Sequence, residues 1–169
     1  IGDIVLSAAS QQYGGFTVPS VDLILEPYAE KSYNRALAKY ERLGVAADVA
    51  EREALADVKK EFEQGFQGWE YKFNTVASSR GDYPFITVTA GTGTGKFAQM
   101  ATITMLEVRR KGQGKKDHKK PVLFPKIVFL YDENLHGPGK PLEDVFEAGV
   151  ECSAKTMYPD WLSLTGKGY

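Results

Sequence analysis

The 169-residue chain has a single cysteine, Cys152, so no disulfide can form within it. One thiol suits a reducing compartment, and a cytoplasmic setting is the expectation. Long apolar runs are missing too. None approaches the roughly 18 residues that span a bilayer, so no membrane-spanning helix is expected. An excess of one charge is also lacking. Twenty-one Lys and Arg stand against 22 Asp and Glu, a net charge of −1, so no global field draws nucleic acid or an anionic membrane. Histidine is scarce: His118 and His136 lie in separate loops, without partners at metal-ligand spacing, and a zinc site is not expected from them.

What is present is ordinary for a globular domain. The composition is 43% hydrophobic and 25% charged, and the length fits one domain with a core of its own. The chain opens on Ile1 without a methionine and closes on "LTGKGY" without capping residues. The expectation is a segment of a longer polypeptide, whose functional site would be incomplete here.

Periodicity divides the chain into alternating elements. "GDIVLSAASQQ" reads as the end of a helix, and "YGGFTV" places two glycines before a short strand. Pro19 and Ser20 open a helix in which Ile24, Tyr28, Leu37 and Tyr40 share one buried side, with Pro27 in its first turn or at a kink and Gly44 ending it. A longer helix runs from about Ala47 to Phe73, where Val58, Phe62, Phe66, Trp69 and Phe73 recur at steps of three and four and read as core. "FITVTA" is a strand, and Phe97, Met100, Ala101, Met105 and Val108 form the stripe of the next helix. That helix closes on Arg109, Arg110 and Lys111, cations suited to a C-terminus. "KIVFLYD" reads as a strand buried on both faces. The last helix starts near Pro141 and lines one side with Leu142, Val145, Phe146, Gly149 and Cys152. This order predicts an α/β arrangement with parallel strands.

Four motifs could carry chemistry. "AGTGTGKF" sits where a phosphate-binding loop would, between a strand and a helix. That loop needs G-x-x-x-x-G-K-[ST], and here Ala90 replaces the first glycine and Phe97 the metal-binding hydroxyl. The weaker reading, an anion held by backbone N–H groups at a helix start, stays open. "SSRGDYPF" contains Arg-Gly-Asp, a tripeptide common by chance. "RRKGQGKKDHKK" is basic but lacks interleaved aromatics, so a solvated turn is the better reading. Cys152 lies on the apolar side of its helix, as a buried structural thiol would. "NTVASSRG" brings amide, hydroxyl and guanidinium groups to the entrance of a core strand. Asn74, Ser78, Ser79, Arg80 and Gly81 could meet ribose or phosphate there, or form a self-satisfied turn with Arg80 paired to Asp82.

Several segments taken in order resemble the anaerobic (class III) ribonucleoside-triphosphate reductases, the glycyl-radical enzymes that make deoxynucleotides. They are "SQQYGGFTVPSVDLILEPYAEKSY", "FNTVASSRGDYPFITVTAGTGTGKFAQM", "GQGKKDHKKPVLFPKIVFLYDENLH" and "EAGVECSAKTMYPDWLS". The resemblance implies part of a ten-stranded α/β barrel built from two antiparallel half-barrels. It implies a glycyl radical that oxidises a cysteine to a thiyl, which abstracts the 3′-hydrogen of a ribonucleotide. Formate or a thiol system would supply the electrons. It also implies an activating enzyme carrying an iron–sulfur cluster and S-adenosylmethionine, a homodimer, structural zinc and an ATP effector. The "QQYGG" turn, with Gln12, Gly14 and Gly15, resembles the family's glycine pair near the substrate, where a side chain would block backbone approach.

The family's thiyl cysteine lies in a "PMGCR"-like loop beyond "MYPD", which this sequence does not include. Its second active-site cysteine is expected before Ile1, and the glycyl-radical loop, zinc cysteines and ATP-cone are absent from the sequence. Cys152 matches a cysteine of an "ECASK"-like helix instead. The expectation is an internal barrel segment, inactive alone. Two other readings stand beside it: a small nucleotide-binding or phosphotransfer protein using "GTGTGK", and a non-catalytic interaction module built on the long helix and the basic loop.

Overall fold

The computed structural model describes residues 2–11, 14–75, 85–114 and 120–165. Its elements, in chain order, are α1 (Gly2–Ser10), β1 (Phe16–Val18), α2 (Val21–Arg42), α3 (Ala47–Thr75), β2 (Ile86–Ala90), α4 (Lys96–Lys111), β3 (Lys126–Tyr131), α5 (Glu143–Lys155) and β4 (Asp160–Ser163). The strands make one sheet in the order β1-β2-β3-β4, with every neighbouring pair parallel. The order in space is therefore the order along the chain.

Register assigns each strand residue to a face, because side chains alternate along a strand. Val18, Ile86, Val88, Ala90, Ile127 and Phe129 share one face, and all are buried. They join a single apolar cluster that takes residues from all five helices, among them Val5, Val21, Phe73, Met105 and Cys152. The other face carries Thr17, Thr87, Thr89, Lys126, Val128, Leu130, Asp160 and Leu162, none of them buried. "KIVFLYD" was expected to be buried on both faces. Only Ile127 and Phe129 are buried, because among the described residues the core lies on one side of the sheet.

The helices follow their apolar spacing, with two corrections. In α3, Val58, Phe66 and Phe73 are buried and Phe62 and Trp69 pack half-buried against the cluster, with the Phe66 and Trp69 rings edge to face at 5.7 Å. α2 runs continuously through Pro27, but its buried residues are Val21, Asp22 and Ala29. Ile24 and Tyr28, expected inside, are 42% and 60% exposed. The second correction is α4. It touches α2, α3 and α5, so it is enclosed on more than one side. Thr102, Thr104 and Arg109 are consequently buried beside Ala101, Met105 and Val108.

Candidate functional site at the carboxyl rim of the sheet

In parallel α/β sheets the loops after the strands form the ligand-bearing rim. Here the loop after β2, residues 91–95, is held from two directions. Asp22, fully buried in the first turn of α2, accepts the N–H groups of Gly91 and Gly93 on Oδ2, each at 3.0 Å, and the Thr102 hydroxyl stands 3.4 Å away. From the other side, His136 Nε2 donates to Gly91 O at 2.7 Å, while its Nδ1 accepts the Asp132 N–H at 3.0 Å. The imidazole is buried against the rings of Phe129 and Tyr131. Gly91 has φ +123°, which only glycine adopts without strain. Gly93 is required for space, whereas at Gly95 the neighbour is the movable end of Glu26. A Cβ on Gly93 would stand 2.5 Å from the Ala98 methyl, and one on Gly95 would overlap the Glu26 carboxylate.

This geometry does not favour the alternative of a nucleotide-binding loop, which the sequence had already weakened at Ala90 and Phe97. Two N–H groups that would face a phosphate are bonded to Asp22. Lys96 Nζ lies 5.6 Å over the Tyr33 ring, and Phe97 packs on the same ring at 5.5 Å. The lysine of "GTGTGK" thus belongs to the contact between α2 and α4, not to the loop.

Of the residues expected at substrate, the described ones, Gly14, Gly15 and Asn74, lie at the opposite, amino rim. Gly15 precedes β1 with φ +85°, and a Cβ there would stand 2.8 Å from Phe85 O. Gly14 has open space around it. Asn74 closes the end of α3. Its Nδ2 donates to Glu70 O and Phe124 O, both at 2.6 Å, and its Oδ1 accepts the N–H groups of Leu123 and Phe124 at 3.2 and 3.1 Å. Gly15 and Asn74 are linked, since Gly15 lies against Phe85, whose ring packs on Phe124 at 5.7 Å, and Phe124 is bonded to Asn74. Gln12, Ser78, Ser79, Arg80 and Gly81 lie outside the described residues, as do Asp82 and His118.

Residues 1–169 match the family described as anaerobic ribonucleoside-triphosphate reductase. The chain belongs to this family. Relatives so named include one from Enterobacteria phage T4, 37% identical over 96% of the chain and 26% of the relative. A second, from Haemophilus influenzae, is 38% identical over 95% of the chain and 22% of the relative. A third, from Escherichia coli strain K12, is 34% identical over 95% and 22%. The chain thus spans about a quarter of the length of its reductase relatives.

The buried pair of Glu70 and Arg109 was not foreseen from the sequence. Arg109, expected as a solvated cation at a helix end, is buried. Its Nε donates to Glu70 Oε1 and its Nη2 to Pro125 O, each at 2.7 Å, and its guanidinium lies 5.0 Å over the Tyr158 ring. Burial pushes the Glu70 carboxyl above its ordinary range, and Arg109 partly opposes that shift. The only hint in the sequence was an acid on the apolar side of α3, one step from Trp69. Cys152, in contrast, meets its expectation as a buried thiol. Burial raises its pKa, and its Sγ lies 3.7 Å from the Thr156 hydroxyl.

Proposed function

We propose that this chain forms part of the wall of the catalytic barrel in an anaerobic ribonucleoside-triphosphate reductase. The observation that carries the reading is the sheet with one covered and one open face. All-parallel sheets are stable when both faces are covered. A sheet whose strands run in chain order keeps its crossovers on one side, and it covers the other by curling into a barrel. The uncovered row of Thr17, Thr87, Thr89, Val128, Leu130 and Leu162 then becomes inner wall. The four strands would be part of one half of a ten-stranded barrel.

The whole protein would reduce ribonucleoside triphosphates to deoxyribonucleotides by glycyl and thiyl radical chemistry. The radical groups, structural zinc and ATP effector site belong to other parts of the polypeptide. An activating enzyme with an iron–sulfur cluster and S-adenosylmethionine, a homodimeric state and a cytoplasmic location belong to the same reading. Within this chain, Gln12, Gly14, Gly15, Ser78, Ser79, Arg80 and Gly81 are the proposed substrate contacts. Asn74 serves beside them as a positioning residue, because both its amide protons and its oxygen are engaged within the chain. The test is anaerobic activation of the full-length protein followed by assay of ribonucleotide reduction. Arg80→Ala is expected to raise KM for the triphosphate. Absence of reduction in the activated parent protein would sink the reading.

A further inference from the structure

The glycines of residues 91–95 resemble a phosphate cradle in sequence, yet the structure turns their N–H groups onto a side chain of the same molecule. Backbone N–H groups converging from a glycine turn make a concave anion site, or nest. Two such groups converge on one oxygen of Asp22 at equal distances, with the Thr102 hydroxyl as a third neighbour. The other oxygen, Oδ1, is buried without a hydrogen-bond partner among the described residues. The two N–H bonds and the nearby hydroxyl offset part of the cost of burying the Asp22 side chain. We propose that residues 91–95 form an anion nest filled by the chain's own Asp22, and that Asp22 and His136 are positioning residues fixing this loop as a second ligand rim, opposite the amino-rim contacts proposed above.

The nest stands on geometry alone, whereas the link to substrate rests on the reductase reading above. Asp22 holds the loop by its N–H groups and His136 by the Gly91 carbonyl, so the loop is clamped between α2 and the connection from β3 to α5. The groups left for a ligand are the side chains of Thr92 and Thr94, half-exposed and exposed, since the Thr94 carbonyl accepts Gln99 Nε2 at 2.8 Å. Such a ledge suits hydroxyl-to-hydroxyl contact with a ribose and not the capture of a triphosphate.

The full-length protein carrying Asp22→Ala, and separately Asp22→Asn, is compared with its parent by amide hydrogen exchange and by steady-state reduction kinetics. Loss of the carboxylate is expected to speed exchange at Gly91 and Gly93 by about tenfold or more, with exchange in α5 unchanged. KM for the ribonucleotide is expected to rise while the glycyl-radical signal keeps its parental intensity. Asp22→Asn retains one acceptor and is expected to give a smaller change in the same direction, and it carries the test if Asp22→Ala fails to fold. Unchanged exchange at Gly91 and Gly93 in the variant that folds overturns the nest. Faster exchange with unchanged KM overturns the positioning role. If the activated parent reduces no ribonucleotide while the exchange result holds, the reductase reading falls and the nest remains.

Discussion

At the amino rim of the sheet, side chains reach out to hold backbone; at the carboxyl rim, backbone is gathered onto one side chain. Asn74 clasps the chain at Leu123 and Phe124, and Arg109, charged and buried, reaches Pro125 while paired to Glu70. Across the sheet, Asp22 takes two loop amides and His136 one carbonyl. The amino rim invests a buried ion pair in fixing where β3 begins. The carboxyl rim needs only glycines, an acid and an imidazole to fix a turn, and it leaves Thr92 and Thr94 outward.

The largest expected effect breaks the amino rim. Glu70→Ala leaves the Arg109 guanidinium buried without its partner, which costs about 3–5 kcal/mol. Urea unfolding of the full-length protein measures it, and a loss under 1 kcal/mol would mean that water reaches the site. Asn74→Ala frees two backbone N–H groups and two carbonyls, for about 2 kcal/mol. Its hydrogen-exchange signature is expected at Leu123 and Phe124 and not in the 91–95 loop. At the carboxyl rim, Gly93→Ala presses a methyl into Ala98 and is expected to cost about 1–3 kcal/mol, with the disturbance centred on the start of α4.

A pH measurement sharpens the same contrast. Because burial raises the Glu70 pKa, the folded state binds that proton more tightly than the unfolded chain. The resulting stabilisation is complete below the ordinary glutamate range and is lost as pH rises through the raised folded value. Subtracting the profile of Glu70→Gln from that of the parent should leave a difference that falls with pH in this window, and a flat difference would refute the assignment. The smallest effect is expected from Lys126 and Asp160. Their ion pair spans the first residues of β3 and β4 on the open face at 2.6 Å, with both side chains partly exposed. Lys126→Met is expected to change stability little and only at low salt.

The sequence alone made much of the framework legible. The stripe from Val58 to Phe73, the β-branched "ITVTA" and the apolar "KIVFLY" each met the expected element type, and parallel pairing followed from their alternation with helices. The polar positions inside the molecule were not legible. Asp22 meets its partners 69 and 71 residues away, Glu70 meets Arg109 at 39, and His136 meets Gly91 at 45. No local period encodes such pairs. The buried side of α2 was misjudged for a related reason, since α4 lies against one flank and leaves Ile24 and Tyr28 to solvent. The glycine loop misled in a different way. Its spacing reports a turn that gathers N–H groups, and the identity of the anion depends on which helix start lies beneath it.

The match between strand order and chain order bears on how the molecule is made. During synthesis β2, β3 and β4 each emerge to find a partner already present, and none of them has to be threaded between two that are paired. The most recently added strand always offers the docking edge, while the helices close behind it on a single side. Assembly can thus keep pace with the ribosome, one strand and its returning helix at a time.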